Sequence, residues 1–236
     1  MKGTFGLNTC PDTTRCITSE LDFYIIDREH GRASLSEAAM LLASIHENCQ
    51  KFIRVSCCQR IEIQRVLELS PDGILIPQIS SYEEALAAVD YSFYPPIGSR
   101  GLSPYTRGFD FYHSDLADKK IKINQNLKLG LLIEGKSGFD ALTSILENLS
   151  PHIDLIYFGL FDFASSQNVE PDWDNKELEA LLLNVISKAS EKDIKVGTIA
   201  RTKKDLDRLE KMGVTYIVYL NDLGIIRDAV KDFENC

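Results

Sequence analysis

Residues 130–138 read GLLIEGKSG, and residues 155–166 read LIYFGLFDFASS. Each segment is a short apolar run that closes on a carboxylate near a glycine, Glu134 in the first and Asp162 in the second. Such runs are too short for a helix. They also lack the strict alternation of a strand with one wet face. They read as strands buried on both faces, as a parallel sheet covered by helices produces. In a parallel α/β barrel the chemistry sits at the C-terminal ends of the strands. Both carboxylates are therefore predicted on one rim, on neighbouring strands, where they would hold a hard divalent cation between them.

The same unit repeats in both directions from this stretch. Upstream, strands are predicted at Thr4–Leu7, Phe23–Asp27, Phe52–Val55 and Ile74–Ile76, and downstream at Ile194–Thr198 and Tyr216–Tyr219, besides Leu129–Ile133 and Leu155–Phe158. Helices are predicted between them. In 34–48, Leu35, Ala38, Ala39, Leu42 and Ile45 share one face, with Ser34 and Glu37 spaced as a capping box. A turn with a short helix is predicted at Pro11–Leu21, and further helices at Arg60–Leu69, Ser80–Asp90, Leu116–Asn126, Phe139–Leu149, Asn175–Ser190, Arg201–Met212 and Asp222–Phe233, with Gly213 as a C′ residue. Eight β/α units in order argue for closure into a single (β/α)8 TIM barrel spanning residues 1–236. No GxGxxG follows the first strand, which argues against a dinucleotide-binding sheet. An irregular stretch at about 93–128 is too long for an ordinary connector and is expected to be functional, flexible or both.

Composition narrows the function. A net charge of −9 over 236 residues, with Lys and Arg dispersed, disfavours nucleic acid as a partner. No apolar run approaches the roughly 20 residues of a membrane helix, and the first residues lack a signal-peptide core, so a cytoplasmic protein is expected. Cys10, Cys16, Cys49, Cys57, Cys58 and Cys236 show no zinc spacing and are read as thiols in a reducing compartment.

Mapped onto strand ends, polar residues converge. Asp27-Arg28-Glu29-His30-Gly31 follows the second strand, Arg54 ends the third, Glu134 ends the fifth and Asp162 lies just past the sixth. Singly, His30 reads as a surface histidine and Arg54 as a structural ion-pair partner. Gathered on one rim, they argue for a site.

These residues also carry a resemblance. IIDREHG, FIRVS, DGILIPQISSYEEA, YPPIGSRG, LLIEG and YFGLFDFASS occur in this order, and the D-x-E-H-G and Y-P-P-x-G-x-R-G strings are the specific ones. Over nearly its whole length the chain resembles the HpcH/HpaI aldolase family, metal-dependent pyruvate aldolases such as 4-hydroxy-2-oxoheptanedioate and 2-dehydro-3-deoxyglucarate aldolases. The resemblance implies a barrel of the phosphoenolpyruvate/pyruvate-binding type. It also implies a carbon–carbon lyase that cleaves a 4-hydroxy-2-oxo (2-keto-3-deoxy) acid to pyruvate and an aldehyde, or runs the reverse, through a metal-stabilised pyruvate enolate. Glu134 and Asp162 fall in the positions of the ligands to Mg²⁺, Mn²⁺ or Co²⁺. Arg54 matches the arginine that neutralises charge on the C2 oxygen, where a guanidinium fork outperforms lysine. His30 matches the base for the C4 hydroxyl. Glu68 matches the carboxylate that raises that histidine's basicity, with Asp27 a second candidate. The backbone N–H groups of Phe161 and Asp162 match the pyruvate-carboxylate site, and Arg100 and Arg107 would reach an acidic aldehyde. The resemblance further implies a homo-oligomer, a hexamer built from dimers or trimers, in which a neighbour's residues complete the site.

Three positions depart from the family pattern. Leu132 stands where a substrate-contacting Gln is usual, Phe161 makes the rim bulkier, and Glu68 replaces an Asp. They suggest an altered substrate, weaker activity or a silent, metabolite-binding homologue. A malyl- or citramalyl-thioester lyase is a further alternative, though no basic cluster suits a nucleotide. A Schiff-base aldolase would need a strand lysine, and Lys195 lies at the wrong end. His113 lies in the irregular stretch and gets no more than a minor role.

Overall fold

The computed structural model describes residues 1–112 and 114–234, so His113 and Cys236 lie outside the described residues. The apolar runs form strands β1 (Lys2–Gly6), β2 (Phe23–Asp27), β3 (Gln50–Arg54), β4 (Gly73–Ile76), β5 (Lys128–Ile133), β6 (Leu155–Phe158), β7 (Lys195–Ala200) and β8 (Tyr216–Asn221). They pair parallel in chain order, and β8 pairs with β1 to close an eight-stranded barrel. Around it lie α1 (Pro11–Thr18), α2 (Leu35–Ser44), α3 (Arg60–Leu67), α4 (Tyr82–Ser92), α5 (Leu116–Asn126), α6 (Lys136–Leu149), α7 (Leu160–Ser166), α8 (Lys176–Ser190), α9 (Lys203–Met212) and α10 (Asp222–Glu234). None of the described helices is long and apolar enough to cross a membrane.

Side-chain caps fix several helix starts. Ser34 and Glu37 form the expected capping box on α2, Asn175 caps α8, and Thr202 with Asp205 forms a second box on α9. Gly213 ends α9 at φ +96°, a left-handed conformation that a side chain would strain. Two expectations shift. α2 ends at Ser44 rather than running on to 48, because the chain leaves at Ile45 and the His46 N–H donates to Thr18 Oγ1 at 3.0 Å. α7 was not expected, since seven residues are too few to show a period.

The N-terminal end of the barrel is tied by acids. The carboxylates of Asp22, Asp72 and Asp154 accept from the backbone N–H groups of Lys2 (2.6 Å), Lys51 (2.8 Å) and Leu129 (2.9 Å). Each acid directly precedes a strand and satisfies the first or second N–H of the neighbouring strand. Above this level Phe23, Phe52 and Tyr216 pack edge-on inside the barrel at 5.1–6.3 Å between centroids. Phe5 and Tyr157 form the next layer at 5.8 Å.

The stretch 93–128 leaves α4 at this same N-terminal end. Asn124 brackets the Tyr94 backbone with two 2.9 Å hydrogen bonds, and Lys128 N donates to Asp72 O at 3.0 Å. The insertion therefore folds against the end opposite the strand termini that carry Glu134 and Arg54.

The seam between β1 and β8 is locked by Asp222, which is fully buried. Its carboxylate accepts from Leu7 N (3.0 Å), Asn8 N (3.1 Å), the Asn8 side chain and the Tyr24 hydroxyl (3.0 Å). One side chain thus joins the start of α10 to β2 and to the chain leaving β1.

Candidate active site

Eight parallel strands point their C-terminal ends at one cavity of about 320 Å³. Its polar lining is Asp27, His30, Arg54, Glu134, Tyr157, Asp162 and Asn221, and Phe5, Leu7, Leu132, Leu160, Phe161, Ile199 and Leu220 supply apolar wall. The carboxylates, arginine and histidine predicted from strand ends thus open on the same space.

Arg54 is the most constrained of these. Asp27 faces it in register on β2, and the guanidinium donates from Nε and Nη2 to the two Asp27 oxygens at 2.9 and 2.7 Å. Nη1 lies 2.9 Å from Glu29 Oε2, and the guanidinium carbon sits 4.5 Å over the Phe5 ring. Burial disfavours the charge, but Asp27 and then Glu29 outweigh it and hold the guanidinium pKa above its usual range. Asp27 also accepts from the backbone N–H groups of Glu29 (3.0 Å) and His30 (3.3 Å). Its carboxylate is therefore taken up in orienting Arg54 and the 28–31 loop.

Glu134 ends β5 and is buried, with Oε1 accepting from the backbone N–H of Gln78 at 3.1 Å. Its side chain adjoins that of Asp162, which stands in the first turn of α7. Burial, the adjoining Asp162 carboxyl and the charge of Glu29 raise the Glu134 carboxyl to about 7 against the pull of the Gln78 N–H. The two acids approach this closely because of Gly159. A Cβ there would lie 2.6 Å from Glu134 Cγ. Phe161 and Asp162 occupy the first turn of α7, where backbone N–H groups have no intrahelical acceptor. Phe161 itself is half-exposed at the mouth, and Leu132 is buried in the wall.

His30 is 63% exposed at the mouth, and its Nε2 lies 3.9 Å from Glu29 Oε2. The carboxylate beside the imidazole is therefore Glu29, and Asp27 touches only the His30 backbone. Glu68 is not brought to this site. It caps the C-terminal end of α3, and a helix that follows a strand returns to the opposite end of the barrel. There it hydrogen-bonds Gln64 at 3.4 Å, a few residues before Asp72. Arg100 is not brought to the site either. It is buried, stacks at 4.5 Å on Tyr94, and lines a separate cavity of about 210 Å³ with Ser70, Asp72 and Lys122. Arg107 sits in the same insertion and does not line the active cavity.

Sequence reasoning gave no role to Glu29, Gln78, Tyr157 or Asn221. Glu29 has Oε1 bound by Gln78 Nε2 at 2.8 Å, while Oε2 is buried without a hydrogen bond of good geometry. Glu29 lies within the D-x-E-H-G string, so the signal was present. Among the described residues no group of three or more His, Cys, Asp or Glu side chains is arranged to hold a metal ion. The acids that meet are two.

A closed parallel barrel with ionisable groups gathered at its C-terminal mouth defines a TIM-barrel protein of the enzyme type. The chain belongs to the HpcH/HpaI aldolase/citrate lyase family, which it matches over residues 8–228. It is similar to the 5-keto-4-deoxy-D-glucarate aldolase of Shigella boydii serotype 18, at 26% identity over 211 residues, covering 89% of this chain and 80% of that protein. Among solved structures it resembles an HpcH/HpaI aldolase/citrate lyase family protein from Burkholderia cenocepacia J2315. The TM-score is 0.91 at 19% identity, covering 100% of this chain and 93% of the other. The HpcH/HpaI aldolase from Desulfitobacterium hafniense DCB-2 gives a TM-score of 0.90 at 20% identity, covering 99% and 91%.

Proposed function

We propose that this protein is a divalent-metal-dependent aldolase acting on a 4-hydroxy-2-oxo acid, which it cleaves to pyruvate and an aldehyde or forms from them. The observation that carries this reading is the meeting of Glu134 and Asp162 on the cavity that Arg54 and His30 also line.

The residues fit a cation. The two carboxyl groups open on the same cavity, and their repulsion helps to raise the Glu134 carboxyl, a repulsion that a bound cation would relieve. A donor set of two carboxylates leaves positions for water and substrate oxygens, which suits Mg²⁺, Mn²⁺ or Co²⁺. Glu134 and Asp162 would hold the ion, and when bound it supplies Lewis acidity toward the 2-oxo acid.

The chain's own groups do the rest. Arg54 has two of its five N–H donors committed to Asp27, and its Nη1 stands in an ion pair with Glu29. The donors left over would meet the charge that bond cleavage leaves on the pyruvate half. The N–H groups of Phe161 and Asp162 would bind the keto-acid carboxylate. His30 takes the proton of the C4 hydroxyl, with Glu29 rather than Glu68 as its carboxylate neighbour. The barrel works as one domain and assembles as a homo-oligomer. The exposed stripe Leu223, Ile226, Val230 and Phe233 on α10 is the kind of face that a second subunit covers.

A screen of 4-hydroxy-2-oxo acids for pyruvate release, with Mg²⁺, Mn²⁺ or Co²⁺ and with EDTA, tests the reading. Metal-dependent release supports it. Release that survives chelation removes the metal. A silent, pyruvate-binding barrel is a second reading favoured by Leu132, which lines the cavity without a polar group. Metal-dependent binding of pyruvate without exchange of its methyl protons would establish that reading instead.

A further inference from the structure

Tyr157 lies on β6 with its ring on the floor of the cavity, and its hydroxyl is buried with no hydrogen-bond partner. The large majority of buried side-chain polar atoms are paired, so an orphaned hydroxyl on a residue that lines a cavity points to a missing partner. The ring does not choose this position for lack of an alternative. It packs edge-on to Phe5 at 5.8 Å, and a Cβ at Gly197 would lie 2.9 Å from its Cδ2, so the ring is clamped and phenylalanine would fill the same space. The hydroxyl is therefore surplus to packing. Its register neighbour on β5 is Leu132, which carries no polar atom into the same layer.

We propose that the Tyr157 hydroxyl donates a hydrogen bond to an oxygen of the bound keto acid and thereby supplies the polar contact that Leu132 leaves unmade. This rests on the aldolase reading above. The direction of donation follows from the surroundings. The nearby carboxylates of Glu134 and Asp27, together with burial, keep the phenol protonated against the opposing Arg54 charge. The Arg54 Nε and Nη2 donors are spent on Asp27, and Nη1 is ion-paired with Glu29. A ligand oxygen is the acceptor that this hydroxyl lacks. Because the ring is held before the ligand arrives, little conformational freedom is lost on binding.

The test uses Tyr157→Phe and oxalate as probe, since oxalate presents adjacent oxygens as a 2-oxo acid does. Calorimetric titration in Mg²⁺ is expected to show oxalate binding about tenfold weaker in Y157F than in the wild type. The ligand-free variant is expected to melt at the same temperature or higher, because it loses only an unpaired buried hydroxyl. Equal oxalate affinity in the two proteins, or a variant that melts several degrees lower, overturns the role of Tyr157 and leaves the aldolase reading standing. Wild-type protein that binds no oxalate with Mg²⁺, Mn²⁺ or Co²⁺ overturns the aldolase reading and this inference with it.

Discussion

The two ends of this barrel use the same residue type in opposite ways. At the N-terminal end Asp22, Asp72 and Asp154 each meet a backbone N–H of the adjacent strand at 2.6–2.9 Å. At the C-terminal end Glu134 meets another carboxyl, and one Glu29 oxygen and the Tyr157 hydroxyl are buried without hydrogen bonds. The first arrangement satisfies charge locally and stabilises the sheet. The second leaves polar groups short of partners in and beside one cavity, which is a state worth keeping only where a ligand completes it.

Breaking the acid pair gives the largest expected effect. Glu134→Gln should lower metal-dependent pyruvate release by about 10³-fold, while its melting temperature stays level or rises because a repulsive neighbour is gone. A variant that keeps wild-type turnover would strip the pair of its assigned part.

The same carboxyl should write itself into the pH dependence of stability. Its folded pKa, about 7, lies above the ordinary carboxylate value of 4.5. The folded state then binds the extra proton, so the contribution is present below about 4.5 and lost as pH rises through 7. In metal-free protein this amounts to roughly 3 kcal/mol. Thermal melts of wild type and Glu134→Gln should therefore diverge between pH 4.5 and 7.5, with the variant ahead at the upper end. Added Mg²⁺ should close the gap. Parallel curves would contradict the shift.

The opposite end should answer in stability alone. Asp72→Ala removes one acceptor from the Lys51 N–H and is expected to cost about 1 kcal/mol in urea unfolding, with kcat/KM within twofold of wild type. A loss of turnover per folded molecule would mean that the two ends are not separable. The smallest effect sharpens the assignment of the histidine's partner. Glu68→Gln should leave the pH–rate profile unmoved, whereas Glu29→Gln should shift its acidic limb, as rate measurements across pH 5–9 would show.

Strand cores were legible because burial on both faces leaves a dense apolar run. β2, β6 and α5 fall at their expected residues, and the family and barrel follow. Glu134, Arg54 and Asp27 were legible because a polar residue ending such a run faces the rim. Glu68 was misplaced because a string match ignores that α3 runs antiparallel to its strand. Tyr157 was hidden by its own chemistry, since LIYF reads as apolar and only the alternation within β6 separates its inward residues from the rest. Asp222 read as an ordinary helix-start acid, because its partners are up to 215 residues away.

That last separation bears on how the protein is made. A chain emerging from its N-terminus presents Leu7, Asn8 and Tyr24 long before Asp222 exists to receive their hydrogen bonds. The seam can be sewn only after Asp222 has been made, and Asn221, one wall of the cavity, arrives in the same step. Until β8 has been made, the β1 edge that it pairs with has no partner on that side. Pairing of β8 therefore covers an aggregation-prone edge and completes the cavity wall together.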